Sequence, residues 1–215
     1  MLNQIKLKFL SAKDEQYAIK ANAYLLNQFK LLGLYTQQRK LIVKPFLEKK
    51  MTKQELIGLV NELWHQEYRD FKYVACSFLK KNIKLLSTED LDWLQSLVLI
   101  DSWWDTVDSL VPIIGKIVKG SKDNPMDDWI AHENFWIRRV AIIHQLGFKV
   151  DTDISRLSKY ALSQSVDKEF FIRKAIGWAF RDYARYDSTF VLDFMNNNKD
   201  KFSNLTYREA MKHIV

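Results

Sequence analysis

The stretch Phe135-Trp-Ile-Arg-Arg-Val-Ala-Ile142 returns thirty-five residues later as Phe170-Phe-Ile-Arg-Lys-Ala-Ile-Gly177. Stepping back thirty-three residues from the first copy reaches Ser102-Trp-Trp-Asp-Thr-Val-Asp-Ser109, and thirty-three more reaches Arg69-Asp-Phe-Lys-Tyr-Val-Ala-Cys76. A period of this size belongs to stacked helical pairs, each burying its apolar face only against its neighbours. The expectation is an all-α chain, a curved solenoid of helical repeats, with residues 1–215 as one domain.

Composition agrees. Across 215 residues, 47% are hydrophobic and 27% charged, which suits a soluble globular chain with one sizeable core. Six glycines and three prolines are few, and no segment alternates with period two over strand length, so helix is favoured over sheet. The balance of 33 Lys and Arg against 26 Asp and Glu gives +7, which raises the expectation of a polyanionic partner. A single cysteine, Cys76, excludes an internal disulfide and reads as a small buried filler. Met1 to Phe9 mixes Leu and Ile with Lys and lacks the apolar stretch of a secretion signal. No apolar run reaches the ~18 residues of a membrane span, so a cytoplasmic protein is expected.

Local signals place the helices. Asp14 to Phe29 carries apolar residues at helical spacing, with Gly33 as a stop, and Thr36 opens a helix with Pro45 late in it. Thr52-Lys53-Gln54-Glu55 is a capping box. Glu67 to Ile83 is amphipathic, and Ser87 and Thr88 followed by acids start the next element. The seven residues Ser102 to Asp108 read as one helical stretch. Lys119 to Asp123 is a loop, after which Asn124 as cap and Pro125 at the first position restart a helix. The remaining helices are expected over Asn134 to Leu146, Thr152 to Leu162, Asp167 to Arg185, Ser188 to Met195 and Asn204 to Ile214.

The repeat register marks its own exceptions. Asp108 stands where the other copies carry Ala75, Ala141 and Ile176, and Trp178 stands where they carry Leu110 and Ile143. Trp104 lies one helical turn before Asp108, so ring and carboxylate share a face. Taken singly, Asp108 could cap or salt-bridge a neighbour and Trp178 could fill the core; their coincidence at nearby levels of successive repeats favours a site. Lys72, Arg138 and Arg173 share one register position and suggest a phosphate track, interrupted by Asp105. The other basic residues, Lys122 among them, equally suit solvated faces.

These residues carry a resemblance. Ser102-Trp-Trp-Asp-Thr-Val-Asp108, Phe135-Trp-Ile-Arg-Arg139 and Phe171-Ile-Arg-Lys-Ala-Ile-Gly-Trp178 resemble the AlkD family of DNA glycosylases. Leu32-Gly-Leu-Tyr-Thr-Gln-Gln-Arg39 and Leu205-Thr-Tyr-Arg-Glu-Ala210 extend the likeness over nearly the whole chain. The segment from Gly120 to Asn134 is short for that family. The resemblance implies HEAT-like repeats and excision of cationic N3- and N7-alkylated purines from duplex DNA. It implies Asp108 as catalytic acid, Trp104 and Trp178 as site aromatics, Arg139 as site arginine in preference to Arg138, and Tyr24 as a tyrosine approaching the lesion. It also implies that the lesion stays largely within the base stack.

The chemistry suits that assignment. A cationic purine is already a good leaving group, so its release needs negative potential at the sugar more than acid catalysis; Asp108 and the aromatic faces would supply it. No lysine nucleophile is needed, so strand cleavage is not expected. Arg139, with Arg138 and Arg173, is cast as holding phosphate. The four histidines, His65, His132, His144 and His213, are scattered, no nucleotide-binding loop occurs, and no metal or cofactor is expected. His144 reads as a satisfied helix histidine. A monomer acting on DNA is expected, with a non-catalytic DNA-structure binder as the alternative and a protein-interaction module third. The carboxylate counts against the binder, because it would repel phosphate; the basic repeat positions count against the module.

Overall fold

The structure, a computed structural model, describes residues 1–121 and 124–214. Lys122, and with Asp123 the tip of the loop expected over 119–123, lie outside the described residues. Thirteen α-helices and no β-strand occur among the described residues. They are α1 (Leu2–Ser11), α2 (Glu15–Tyr24), α3 (Thr36–Leu47), α4 (Lys53–Trp64), α5 (Asp70–Lys81), α6 (Leu91–Leu99), α7 (Trp104–Val118), α8 (Met126–Trp129), α9 (Phe135–Ile143), α10 (Ile154–Ser163), α11 (Phe170–Tyr183), α12 (Ser188–Asn197) and α13 (Asn204–Ala210). Each copy of the internal pattern opens one helix: α5, α7, α9 and α11. No helix among the described residues is long and apolar enough to cross a membrane.

The helices group into two compact units, Met1–Ser87 and Thr88–Val215. In the first, α4 starts with the expected capping box: Thr52 accepts the Glu55 backbone N–H at 3.2 Å while Glu55 Oε2 accepts the Thr52 N–H at 2.7 Å. Helix α2 stops at Tyr24, well before Phe29, and the chain turns through Leu26 and Asn27, both with positive φ. Gly33 (φ +81) serves a later turn, where a Cβ would run into the backbone of Asp14 and Ala18. The buried carboxylate of Asp70 fixes that turn onto α5, accepting the Leu32 N–H at 2.7 Å. Arg39 lies 3.8 Å from Asp70, donates to the Leu34 carbonyl, and sets its guanidinium 4.6 Å from the centre of the Tyr73 ring. Lys72 departs from the expected phosphate track. Only 2% exposed, it sits 5.2 Å from the Trp64 ring, inside the unit rather than on its surface.

In the second unit α9 packs against α6, α7, α8, α10 and α11, and α11 in turn packs against α12 and α13. The Trp-Trp stretch is not helical throughout. Trp103 is the extended N-cap (φ −155, ψ 156), and α7 begins at Trp104. Helix α7 runs through Pro112, which has no N–H to give to the Asp108 carbonyl one turn back. Asn124 caps the segment after the loop by accepting the Met126 N–H at 3.1 Å, but Pro125 stays outside the helix and α8 is a single turn. Asn134, Asp153, Glu169, Asp187 and Ser203 each cap a helix with a side-chain oxygen.

His144 is the satisfied core histidine the sequence suggests, 1% exposed with Nδ1 2.7 Å from the Ala141 carbonyl. Burial pushes its pKa down to about 4. The unfolded chain therefore takes a proton at His144 near pH 6.5 that the folded chain refuses until about pH 4. Stability from this group is complete above pH 6.5 and falls away between 6.5 and about 4, by roughly 3 kcal/mol. Thermal melts of His144→Gln over this range should show a shallower acid loss than the wild type. An equal slope would remove His144 as the source.

Candidate active site

Asp108 and Arg139 face one another from α7 and α9. Arg139 Nε donates to Asp108 Oδ1 and Nη2 to Oδ2, both at 2.8 Å, a two-pronged pair of the kind only arginine makes with a carboxylate. Nη1 donates to the Phe171 carbonyl on α11 at 2.6 Å. The guanidinium lies 5.9 Å from the centres of both the Phe171 and Trp178 rings. The arginine side chain is 4% exposed and the aspartate 17%. The pair therefore turns its negative end toward solvent. Burial raises the Asp108 pKa above the ordinary carboxylate value, with Asp105 adding to the rise, while the hydrogen bonds and charge of Arg139 pull it back.

The Phe171 ring belongs to an aromatic cluster. Trp103 packs against Trp136 (5.9 Å between ring centres) and Phe171 (5.3 Å), and Trp136 lies 4.8 Å from Phe171. These three residues hold one register position in successive repeats, the position that Asp70 holds in α5. Trp104, half-buried, opens α7 one turn before Asp108. The site thus gathers Asp108, Arg139, Trp178 and, on the same helix face as Asp108, Trp104.

Arg138 and Arg173 do a different job from Arg139. Arg138 Nη1 donates at 2.8 Å to the His132 and Glu133 carbonyls, and Nη2 donates to Asp167 at 2.9 Å. Arg173 Nε donates to the Asp167 carbonyl at 2.8 Å, again six residues back along the chain. In these two copies the shared register position thus clamps the loop that leads into the helix. Tyr24 belongs to the first unit, where it is 72% exposed at the end of α2. No group of three or more His, Cys, Asp or Glu side chains among the described residues is arranged to hold a metal ion.

A family description, DNA alkylation repair enzyme, matches residues 5–214. The chain belongs to that family. A solved structure described as "Predicted DNA alkylation repair enzyme from Enterococcus faecalis" superposes with a TM-score of 0.87 at 29% identity, covering 94% of this chain and 97% of that one. No curated protein sequence matches the chain. Membership gives this DNA alkylation repair protein a role in alkylation repair, with DNA as the molecule it works on.

For this alkylation repair protein, the sequence did not disclose that Arg139 is committed to Asp108, nor that Phe171 contributes a backbone acceptor and a ring. The register held a signal for both. Asp108 and Arg139 are one repeat less two residues apart, which brings neighbouring helices together at that level, and Phe171 falls in line with Trp103 and Trp136. Removing one partner of so buried a pair leaves an uncompensated charge. Arg139→Gln should cost about 3 kcal/mol of stability near neutral pH, and the deficit should shrink on acidification as Asp108 takes up a proton. Urea unfolding at two pH values measures both; a pH-independent deficit would mean Asp108 is not the group left unpaired.

Proposed function

We propose that this protein is a monofunctional DNA glycosylase that hydrolyses the N-glycosidic bond of cationic N3- or N7-alkylated purines in duplex DNA. The observation that carries the reading is a carboxylate held by a more deeply buried arginine, with one indole ring a turn before it on the same helix and another over the arginine. In the reaction the C1′–N bond breaks with its electron pair going to the purine, which cancels the purine's charge and leaves positive charge on the sugar. Asp108 stabilises that charge and accepts the proton of the water that bonds to C1′, passing it to solvent. The faces of Trp104 and Trp178 favour the cationic base before the bond breaks. A fixed field of this kind does not require the base to leave the stack, so bulky adducts are tolerated as well as methyl groups.

Arg139 in this scheme holds Asp108 in place, and any phosphate it contacts is limited to the guanidinium N–H bonds not already engaged. Arg173, whose Nε alone serves its loop, offers the freer end of its fork to the backbone, and Arg138 and Tyr24 add contacts at their own surfaces. A second reading, a DNA-structure binder without chemistry, draws on one observation: Arg139 already occupies both Asp108 oxygens. Single-turnover release of N7-methylguanine, paired with binding isotherms at two salt concentrations, separates the two. Asp108→Asn should slow release on the order of 10²-fold while DNA binding holds or tightens. Arg173→Ala should lower the salt slope by about one unit; Arg139→Ala should do so only if its remaining N–H bonds reach a phosphate. Release by Asp108→Asn at the wild-type rate would hand the protein to the binder reading.

A further inference from the structure

Helix α13 seats itself on α11 at three successive turns of one face. At the first, the Thr206 hydroxyl donates to the Arg173 carbonyl at 3.0 Å. At the second, Gly177 leaves no room for a side chain, since a Cβ there would stand 2.5 Å from Glu209 Cβ and 2.8 Å from the Thr206 carbonyl oxygen. At the third, Arg181 Nη1 pairs with Glu209 Oε2 at 2.6 Å, with both side chains largely buried. Residues 173, 177 and 181 are spaced by four, so these contacts form one continuous seam along the helix. Helix α13 is itself anchored to α12, where Tyr207 donates to Asn196 at 2.7 Å, and Thr206 and Ala210 are fully enclosed. It is therefore not free to retreat when crowded.

What α11 carries on its other side is half of the site. The Phe171 carbonyl takes the Nη1 hydrogen bond of Arg139, and the ring of Trp178, the residue after Gly177, lies over the same guanidinium. A shift or rotation of α11 moves both, and with them the arginine that fixes both oxygens of Asp108. The other copies carry Cys76, Ser109 and Ile142 in the register position of Gly177, so a glycine at this position is confined to the copy that opens α11.

We propose that Gly177 and the α13 seam, with Thr206 among its polar members, are positioning elements that set Trp178 and the Phe171 carbonyl against Arg139 and thereby hold Asp108 in its working geometry. This inference rests on the glycosylase reading for its activity readout, but not for its structural one. The variants are Gly177→Ala, which crowds the seam, and Thr206→Val, which removes the hydroxyl while keeping the shape.

The first measurement is fluorine NMR of protein labelled with 5-fluorotryptophan, in which the Trp178 resonance is assigned by its loss in Trp178→Phe. Both variants should move the Trp178 resonance and leave that of Trp93, on α6, in place. The second is single-turnover release of N7-methylguanine at saturating enzyme and below the melting range. Each variant should slow release roughly tenfold with DNA affinity within about twofold, as expected for misplacement of groups at the reacting centre. Combined with Trp178→Ala, Gly177→Ala should add little further loss, because its effect runs through that ring. An unmoved Trp178 resonance in both folded variants, or a loss that adds in full to that of Trp178→Ala, overturns the proposal. If the wild type releases no base at all, the glycosylase reading falls while the fluorine shifts still decide the positioning claim.

Discussion

The second unit is arranged around a buried ion pair that would be costly in any other form. Taking a guanidinium and a carboxylate out of water costs several kcal/mol for each ion, and only close, well-directed hydrogen bonding returns it. Arg139 has that geometry through Nε and Nη2 on Asp108 and Nη1 on the Phe171 carbonyl, which ties α7, α9 and α11 together at one level. The aromatic cluster of Trp103, Trp136 and Phe171 adjoins the pair through the Phe171 ring, 5.9 Å from the guanidinium. Stability alone would be served as well by an apolar contact there, which is what the equivalent Ala75, Ala141 and Ile176 positions carry. A carboxylate retained at this register position in one copy only is therefore best accounted for by use of the charge.

That use depends on asymmetry within the pair. Were both partners equally exposed, a passing phosphate would meet no net preference; with the arginine sunk and the aspartate the more exposed of the two, the local field is negative where a sugar would develop positive charge. Phosphate attraction then has to come from elsewhere on a chain of net charge +7, which separates grip from chemistry in space.

The fold was legible because the apolar pattern repeats at a nearly fixed interval, and each copy opens a helix where expected. Caps were legible at Thr52 and Asn134, whose side-chain oxygens accept the backbone N–H of Glu55, three residues on, and of Trp136, two residues on. Trp103 was not, because an extended cap without a side-chain hydrogen bond leaves no chemical mark in the sequence. The identity of Asp108 as an exception was readable from the register, whereas its partner was not, since charge pairing between repeats depends on how neighbouring helices are offset. Lys72 misled for the related reason that a register position fixes a helix face but not how deeply a neighbouring ring, here Trp64, covers it. Arg138 and Arg173 share more than charge, both reaching six residues back to close a loop.

The central claim is that the ionised carboxylate of Asp108 drives base release, and the pH dependence of that step tests it most directly. The measurement is the single-turnover release of N7-methylguanine by saturating enzyme from pH 8 down to the onset of acid unfolding, corrected for spontaneous loss. Because burial holds the Asp108 pKa above the ordinary carboxylate value, the wild-type rate should fall on acidification with a midpoint higher than that of an ordinary carboxylate, and Asp108→Asn should show no such limb. A wild-type rate that stays level down to acid unfolding, or an Asn variant with the same acid limb, would contradict the account.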